Sequence, residues 1–326
     1  MYLVTGGAGF IGSHIVERLV ANGERVRVLD NASFAAGENL DWREGRVEMV
    51  SGNLANPAAV RRAMAGVNVV FHQAALRSVG MSLEDPAVVN QVNVDGTLNV
   101  LIAARDAGVQ RLVYASSCLV YGATDVVPQT EELTACPTSP YAVSKLAGEH
   151  YCRVFAELYG LETLCLRYFD VFGPRQNANE RHAPVMARFI DAALRGEPLE
   201  VSGNGLQSRD FTYIDNVVDA TLLAAESPEG AGEVFNIGQG RSVSLLDLID
   251  LLRRIVGPEL RWSHTKPRPG DVKHSCADIS KAERVLGYRP RVSFEDGLQK
   301  TVDSYRRKSA HAANGRSHAA HGIVEF

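Results

Sequence analysis

Short apolar runs rich in β-branched residues alternate along the chain with longer stretches whose apolar positions recur every three or four residues. The short runs predict strands at Tyr2 to Thr5, Arg25 to Leu29, Val47 to Ser51, Val67 to Phe71, Arg111 to Ser116 and Glu162 to Tyr168. Between them, helical spacing covers Ile11 to Ala21, closed by Gly23, and Ala58 to Met64, opened by Pro57. It resumes over Ala87 to Ala107, closed by Gly108, and Tyr141 to Tyr159, closed by Gly160. Proline at a helix start and glycine just past its end sit where backbone chemistry favours them, so caps and periodicity agree. Strand and helix in alternation predict βαβ units: an α/β chain with a doubly wound parallel sheet.

Beyond Tyr168 the pattern loosens into Gly- and Pro-rich loops with shorter elements. Helices are predicted at Val185 to Leu194, Asp215 to Ala225 and Leu245 to Val256, the last opened by Ser244 and Asp247 in capping-box spacing. We read a first domain over 1–168 and a smaller mixed α/β domain over 169–307, with some segments returning to the first. From 308 to 326 the chain is Ala, His, Ser, Asn and Gly with few large apolar residues, and a disordered tail is expected.

Composition narrows the classes. With 326 residues, 45% hydrophobic and 22% charged, the chain can bury a sizeable core. A net charge of −4 leaves no Lys and Arg excess for a phosphate backbone, so no nucleic-acid partner is expected. No apolar stretch reaches spanning length and the N-terminus runs straight into a strand, so we expect no membrane partner. Five scattered cysteines point to a reducing compartment, and together these features predict a cytoplasmic protein. Neither the cysteines nor His264, His274 and Cys276 show metal-ligand spacing, so no metal is expected.

Chemistry is concentrated in two places. The first is the strand-to-helix turn Thr5-Gly6-Gly7-Ala8-Gly9-Phe10-Ile11-Gly12. Small residues there let a backbone approach a pyrophosphate at a helix N-terminus, where N–H groups and the dipole favour anions. About 20 residues on, Asp30 ends the next predicted strand, where a carboxylate can accept from both ribose hydroxyls and repel a 2′-phosphate. The pair predicts a Rossmann-type fold binding NAD rather than NADP. The second place is Tyr141-Ala142-Val143-Ser144-Lys145, with Tyr and Lys four apart on one helix face. An adjacent cation, together with an oxidised nicotinamide, is expected to bring the phenol toward the range of a general base. Ser116 and Ser117 end an apolar strand at the carboxyl edge, where parallel sheets bind ligands. Ser116 reads as a strand-end cap and Ser117 as a bridge between substrate and tyrosine.

With these motifs in order, the sequence resembles the extended short-chain dehydrogenase/reductase family, the NAD-dependent epimerases and dehydratases, and within it the UDP-glucose 4-epimerase group. Further matching runs are Asp30-Asn31, His72-Gln73-Ala74-Ala75, Asn93-Val94-Asp95-Gly96-Thr97, Arg167-Tyr168-Phe169, Gly173-Pro174-Arg175-Gln176, Arg209-Asp210-Phe211 and Arg268-Pro269-Gly270-Asp271. The resemblance implies that Gly6, Gly9, Phe10, Ile11, Gly12, Asp30, Asn31, Asn53, Leu54, Ala74, Ala75, Asn93, Tyr141 and Lys145 bind NAD. It implies that Ser78, Ser117, Asp170, Val185, Arg209, Arg268, Asp271 and Ser275 face a UDP-sugar. Arg209 and Arg268 would clamp the diphosphate and Asp271 would receive the uridine ribose. Tyr141 would take the proton of the sugar 4-hydroxyl as hydride leaves C4 for NAD, with Ser117 bonded to that hydroxyl. The 4-keto sugar would then turn over and be reduced on its other face. A homodimer through the helices Ala87 to Ala107 and Tyr141 to Tyr159 is usual for the family.

Departures from the family pattern refine this. Dehydratases on the scaffold carry an Asp-Glu pair directly after the catalytic hydroxyl, but here Cys118 and Leu119 stand there, and leucine moves no proton. A dehydratase and a UDP-glucuronate epimerase are the alternatives on the same scaffold, and a non-catalytic NAD sensor is the alternative from another class. Asp170 replaces the family's usual Asn near the substrate diphosphate, where a carboxylate needs a facing donor. Ser275 stands where members restricted to unacetylated hexoses carry Tyr, so N-acetylhexosamines are expected to fit as well. Arg77 and the loop Asn177 to Ala183 are expected to read the hexose substituents.

Overall fold

Leu3 and Val4 are neighbours in the first strand yet enter different cores, as do Val70 with Phe71 and Leu112 with Val113. That two-residue period is what a sheet covered on both faces requires. The computed structural model describes residues 1–32, 39, 45–178, 180–266 and 272–319, with 311–319 as backbone. In chain order the elements begin β1 (Tyr2–Thr5), α1 (Phe10–Ala21), β2 (Val26–Asp30), β3 (Val47–Ser51), α2 (Pro57–Met64), β4 (Val69–His72), α3 (Val79–Glu84) and α4 (Pro86–Asn90). A π-helical turn (Gln91–Asp95) joins α4 to α5 (Gly96–Asp106), followed by β5 (Arg111–Ser117), a 3-10 turn (Cys118–Tyr121), α6 (Pro140–Tyr159) and β6 (Glu162–Tyr168). The second half adds β7 (Val171–Phe172), α7 (Val185–Arg195), β8 (Leu199–Ser202), β9 (Ser208–Arg209), β10 (Thr212–Tyr213), α8 (Ile214–Glu226) and β11 (Val234–Ile237). It ends with β12 (Val243–Ser244), α9 (Leu245–Val256), β13 (Trp262–Thr265), α10 (Ser280–Leu286) and α11 (Phe294–Ala319).

Seven strands form one sheet in the order β3, β2, β1, β4, β5, β6, β11, and every pairing is parallel. The fold is thus the Rossmann-type α/β arrangement. The strand order reverses between β1 and β4, which opens a crevice at their carboxyl ends. Three two-stranded pieces, β7 with β10, β9 with β12 and β8 with β13, complete the strand pairing, and Val171 of β7 reaches the crevice. One core lies under α2, α5 and α6; the other runs from α1 through α8 into α7, α9 and the start of α11. That second core is continuous from Val4 and Phe71 of the sheet to Phe172, Phe211 and Phe294 of the second half.

Where the structure departs from the pattern, local demands explain it. The helix expected over Ala87 to Ala107 is broken by the π turn, which turns Asn93 inward to bond Leu76 and Ser144. β11 was not expected; its Val-Phe-Asn-Ile run follows Gly232, and it returns to pair with β6. The backbone of α11 continues past Lys308 to Ala319, through the first part of the segment expected as a disordered tail. Ala, Arg and Lys there have the helix propensity to prolong a helix already nucleated by its packed first turns. Among the described residues, no helix is long and apolar enough to cross a membrane.

Candidate active site

The glycine turn owes its shape to contacts that leave no room for side chains. Gly6 holds φ +68°, and a Cβ there would lie 2.8 Å from the Ala74 backbone. A Cβ on Gly12 would lie 2.2 Å from the Gly6 carbonyl oxygen. So closed a turn brings backbone N–H groups to the crevice at the start of α1. Gly9 caps that helix without a side-chain acceptor, and no acidic residue stands in its first turn, so its dipole is open to an anion. Asp30 is locked at the tip of β2: Oδ2 accepts from the Ala8 N–H at 3.0 Å and Oδ1 from the Ala32 N–H at 2.8 Å.

One cavity of about 440 Å³ runs along this crevice. Gly6, Gly9, Phe10, Ile11 and Gly12 line it with Asp30, Asn31, Asn53 and Leu54, and Ala74 and Ala75 form the facing wall. Asn53 Oδ1 accepts from the Ala55 N–H at 2.9 Å. Asn39, which sequence reading passed over, also lines the cavity and donates to the Ala8 carbonyl at 3.0 Å.

Behind the facing wall a chain of hydrogen bonds sets its position. The Ala74 N–H donates to Thr5 Oγ1 at 3.2 Å, and Thr5 meets His72 Nδ1 at 2.7 Å. His72 Nε2 meets Thr97 Oγ1 at 2.9 Å, and Thr97 donates to the Asn93 carbonyl at 2.6 Å. Since Thr97 spends its proton on Asn93, His72 donates from Nε2 and accepts at Nδ1, a neutral tautomer. Burial, helped by the Lys145 charge, pushes its pKa down to about 3, which fits that role. Asn93 does not line the cavity; it is 1% exposed and ties Leu76 to Ser144 of α6.

Ser117 stands at the carboxyl end of β5, opposite Tyr168 of β6, and its Oγ accepts from the Leu119 N–H at 3.2 Å. Tyr141 occupies the first turn of α6, which Ser139 caps through the Ala142 N–H at 3.2 Å. Both line the cavity, and the Ser117 hydroxyl favours the Tyr141 phenolate. Burial pushes the phenol up to about 12, while that hydroxyl and the Arg77 charge oppose the shift. Lys145 is buried one layer below, donating to the Ala115 carbonyl at 2.8 Å, 5.0 Å from the Tyr114 ring and 6.0 Å from the Tyr141 ring. Its ammonium is anchored to the strand, and desolvation of the phenol dominates. Burial also pushes Lys145 itself down, to about 8.

Ser116 is not a strand-end cap. Its Oγ donates to Glu149 Oε1 at 2.5 Å, and Arg167 grips the same carboxylate through Nε at 2.9 Å and Nη2 at 2.7 Å. Glu149 was missed in the sequence, although it lies one turn beyond Lys145 on the same buried face of α6.

On the substrate side the structure is selective. Asp170 and Val185 line the cavity. Asp170, at φ +22°, accepts from Ser275 Oγ at 3.2 Å, which supplies the facing donor its carboxylate needs. Ser275 is buried behind it at 5% exposure rather than lining the cavity. Ser78 lies outside the lining and caps α3 through the Met81 N–H at 3.1 Å. Arg209 also lies outside it, donating to the Ser208 and Lys273 carbonyls at 2.9 and 3.3 Å. Arg268 and Asp271 fall outside the described residues. Cys118 packs against the cluster of Val120, Tyr121, Phe169 and Ala277, and burial beside Asp170 pushes its thiol up, so it stays protonated.

The chain is similar to known proteins in sequence and in fold. A UDP-glucose 4-epimerase of Mycolicibacterium smegmatis is 39% identical over 312 residues, 94% of this chain and 99% of the relative. The crystal structure of a Thermotoga maritima UDP-glucose 4-epimerase with UDP-glucose superposes with a TM-score of 0.90 at 39% identity, covering 94% of this chain and 99% of that one. A UDP-N-acetylglucosamine 4-epimerase from Methanobrevibacter ruminantium, in complex with UDP-N-acetylmuramic acid, gives a TM-score of 0.90 at 36% identity, covering 94% and 98%. Residues 2–238, which carry the glycine turn, Ser117, Tyr141 and Lys145, match the model of one family, so the chain belongs to the NAD dependent epimerase/dehydratase family.

Proposed function

We propose that this protein is an NAD-dependent 4-epimerase of UDP-hexoses, interconverting UDP-glucose and UDP-galactose and also accepting the N-acetylated pair, through a transient 4-keto sugar. The observation that carries the reading is that the Ser117 and Tyr141 hydroxyls line the same cavity as a helix N-terminus with no side-chain cap. Cys118, half-buried and protonated, and Leu119 stand where expulsion of water would need a second acid and base.

The cradle fits NAD. Gly6 to Gly12 present backbone where a Cβ would collide, and Asp30 fixes an acceptor for a ribose; Asn31, Asn53 and Leu54 stand beside it for the adenosine. Ala74 and Ala75 face the diphosphate, Asn93 positions that wall, and Lys145 lies beneath the reacting end. When bound, NAD supplies a reversible hydride acceptor for the sugar C4. Tyr141 accepts the proton of the 4-hydroxyl, and Ser117 holds that hydroxyl in line. The Ser117 hydroxyl and the Arg77 charge favour the phenolate that accepts this proton, and the resulting neutral phenol, whose pKa burial raises, holds it until hydride returns to C4. Arg209, Arg268 and Asp271 keep the nucleotide diphosphate and ribose in place while the keto sugar turns, with Ser78 and Val185 at its flank. Small Ser275, behind Asp170, leaves the N-acetyl group room.

The reading includes a homodimer in the cytoplasm, and a division after Tyr168 that is one of function rather than of packing. Purified protein is expected to convert UDP-glucose to UDP-galactose without added NAD. In Tyr141→Phe, turnover is expected to fall by about a thousandfold or more, while thermal stabilisation by the nucleotide persists. Full activity in that variant would contradict the mechanism, and absent turnover with intact stabilisation in the wild type would favour an NAD sensor.

A further inference from the structure

Arg77 and Glu180 line the same cavity as Tyr141. Arg77 Nη2 donates to both carboxylate oxygens of Glu180, at 2.7 and 2.6 Å, across 103 positions of sequence. The guanidinium lines the cavity together with Tyr141, and its charge opposes the rise of that phenol's pKa.

One small platform holds both partners. Asn93 grips the N–H and carbonyl of Leu76 on one side of Arg77, and Ser78 caps α3 on the other. Beyond Glu180, Arg181 reaches Glu84 of α3 at 3.0 Å. His182 lies against Gly80 of α3, where a Cβ would stand 2.5 Å from the imidazole Cε1 and Nδ1. Glycine at 80 therefore lets the segment after Glu180 dock on the helix that starts beside Arg77.

An arginine at the hexose end would by itself attract a sugar bearing a carboxylate at C5, since its planar fork matches a carboxylate with two bonds. Here an internal carboxylate already pairs with that cation, both of its oxygens accepting from one arm, Nη2. We propose that Glu180 sets the sugar specificity of the site: by occupying Arg77 it excludes UDP-hexuronates and leaves UDP-hexoses as substrates. An incoming uronate meets the negative charge of Glu180 and finds no free cation in Arg77, whereas the hydroxymethyl group of a hexose asks for neither.

This inference rests on the UDP-hexose 4-epimerase reading, and the experiment separates the two. Specificity constants for UDP-glucuronate and UDP-glucose are measured for the wild type, Glu180→Gln and the double variant Glu180→Gln with Arg77→Met. The ratio of kcat/KM for glucuronate over glucose is expected to rise about tenfold or more in Glu180→Gln, the scale of one charge-assisted contact, and to fall back in the double variant. An unchanged ratio, a rise that survives loss of Arg77, or a wild type that turns over both sugars equally would each overturn it. Wild-type turnover of UDP-glucose stands or falls independently and tests the parent reading. Titration calorimetry of UDP-glucuronate against wild type and Glu180→Gln reads the proposal even without turnover: equal affinities would overturn it, and tighter binding by the variant would support it.

Discussion

Lys145 keeps a charge where burial disfavours one. Its pKa is pushed from 10.5 down to about 8, first by desolvation, with the nearby Glu149 carboxylate opposing. A folded value below the unfolded one means that the unfolded chain binds more protons between about pH 8 and 10.5. Stability contributed at this residue therefore rises with pH through that window, and the full penalty, about 3 kcal/mol, applies below it. Compared with inactive Lys145→Met, the wild type is expected to be less stable at pH 7, with the gap closing toward pH 10. Denaturant unfolding at four pH values measures it, and a gap independent of pH would contradict the assignment. At this scale the sequence disclosed what short spacing encodes: Asp30 after the glycine turn, and Tyr141 four residues before Lys145. It hid what long-range packing decides. Asp170 looked unsupported until Ser275, 105 positions away, was found as its donor. Glu149 read as an ordinary helix residue until Arg167 and Ser116 closed on it.

Among the elements, those announced by caps and period appear nearly where expected. α6 starts one residue early because Pro140 suits the first helical position, and α9 carries the capping box of Ser244 and Asp247. Two-residue strands such as β9 and β12 leave no periodic trace, and the π turn obeys a side-chain demand of Asn93 that no local pattern states. α6 also shows an outer face that the monomer leaves uncovered. Val143 is 53% exposed, Val154 41% and Leu158 71%, next to exposed Leu83 of α3 and Val88 of α4. Such an apolar stripe on an otherwise packed helix calls for a partner, and we expect a second copy to supply it. Val154→Glu with Leu158→Glu should convert a dimer into a monomer in size-exclusion chromatography with light scattering. A wild type that is monomeric at tens of micromolar would contradict the pairing.

At the scale of the whole molecule, one continuous core joins the sheet to the second half, so the glycine turn and the wall carrying Asp170 and Val185 are held by the same packing. Sequence pattern suggested a division after Tyr168, while the core shared across it became visible only when β11 paired with β6 and α8 packed beside α1. The cavity places an uncapped helix end, the Asp30 carboxylate and the Ser117 and Tyr141 hydroxyls along one crevice. The account stands on what that crevice does to one carbon atom. UDP-glucose deuterated at C4 should therefore be incubated with the purified protein in ordinary water without added cofactor, and the product read by nuclear magnetic resonance. UDP-galactose with the deuterium still at C4 is the predicted result. A product of unchanged C4 configuration, or one whose deuterium has exchanged for solvent hydrogen, would contradict it.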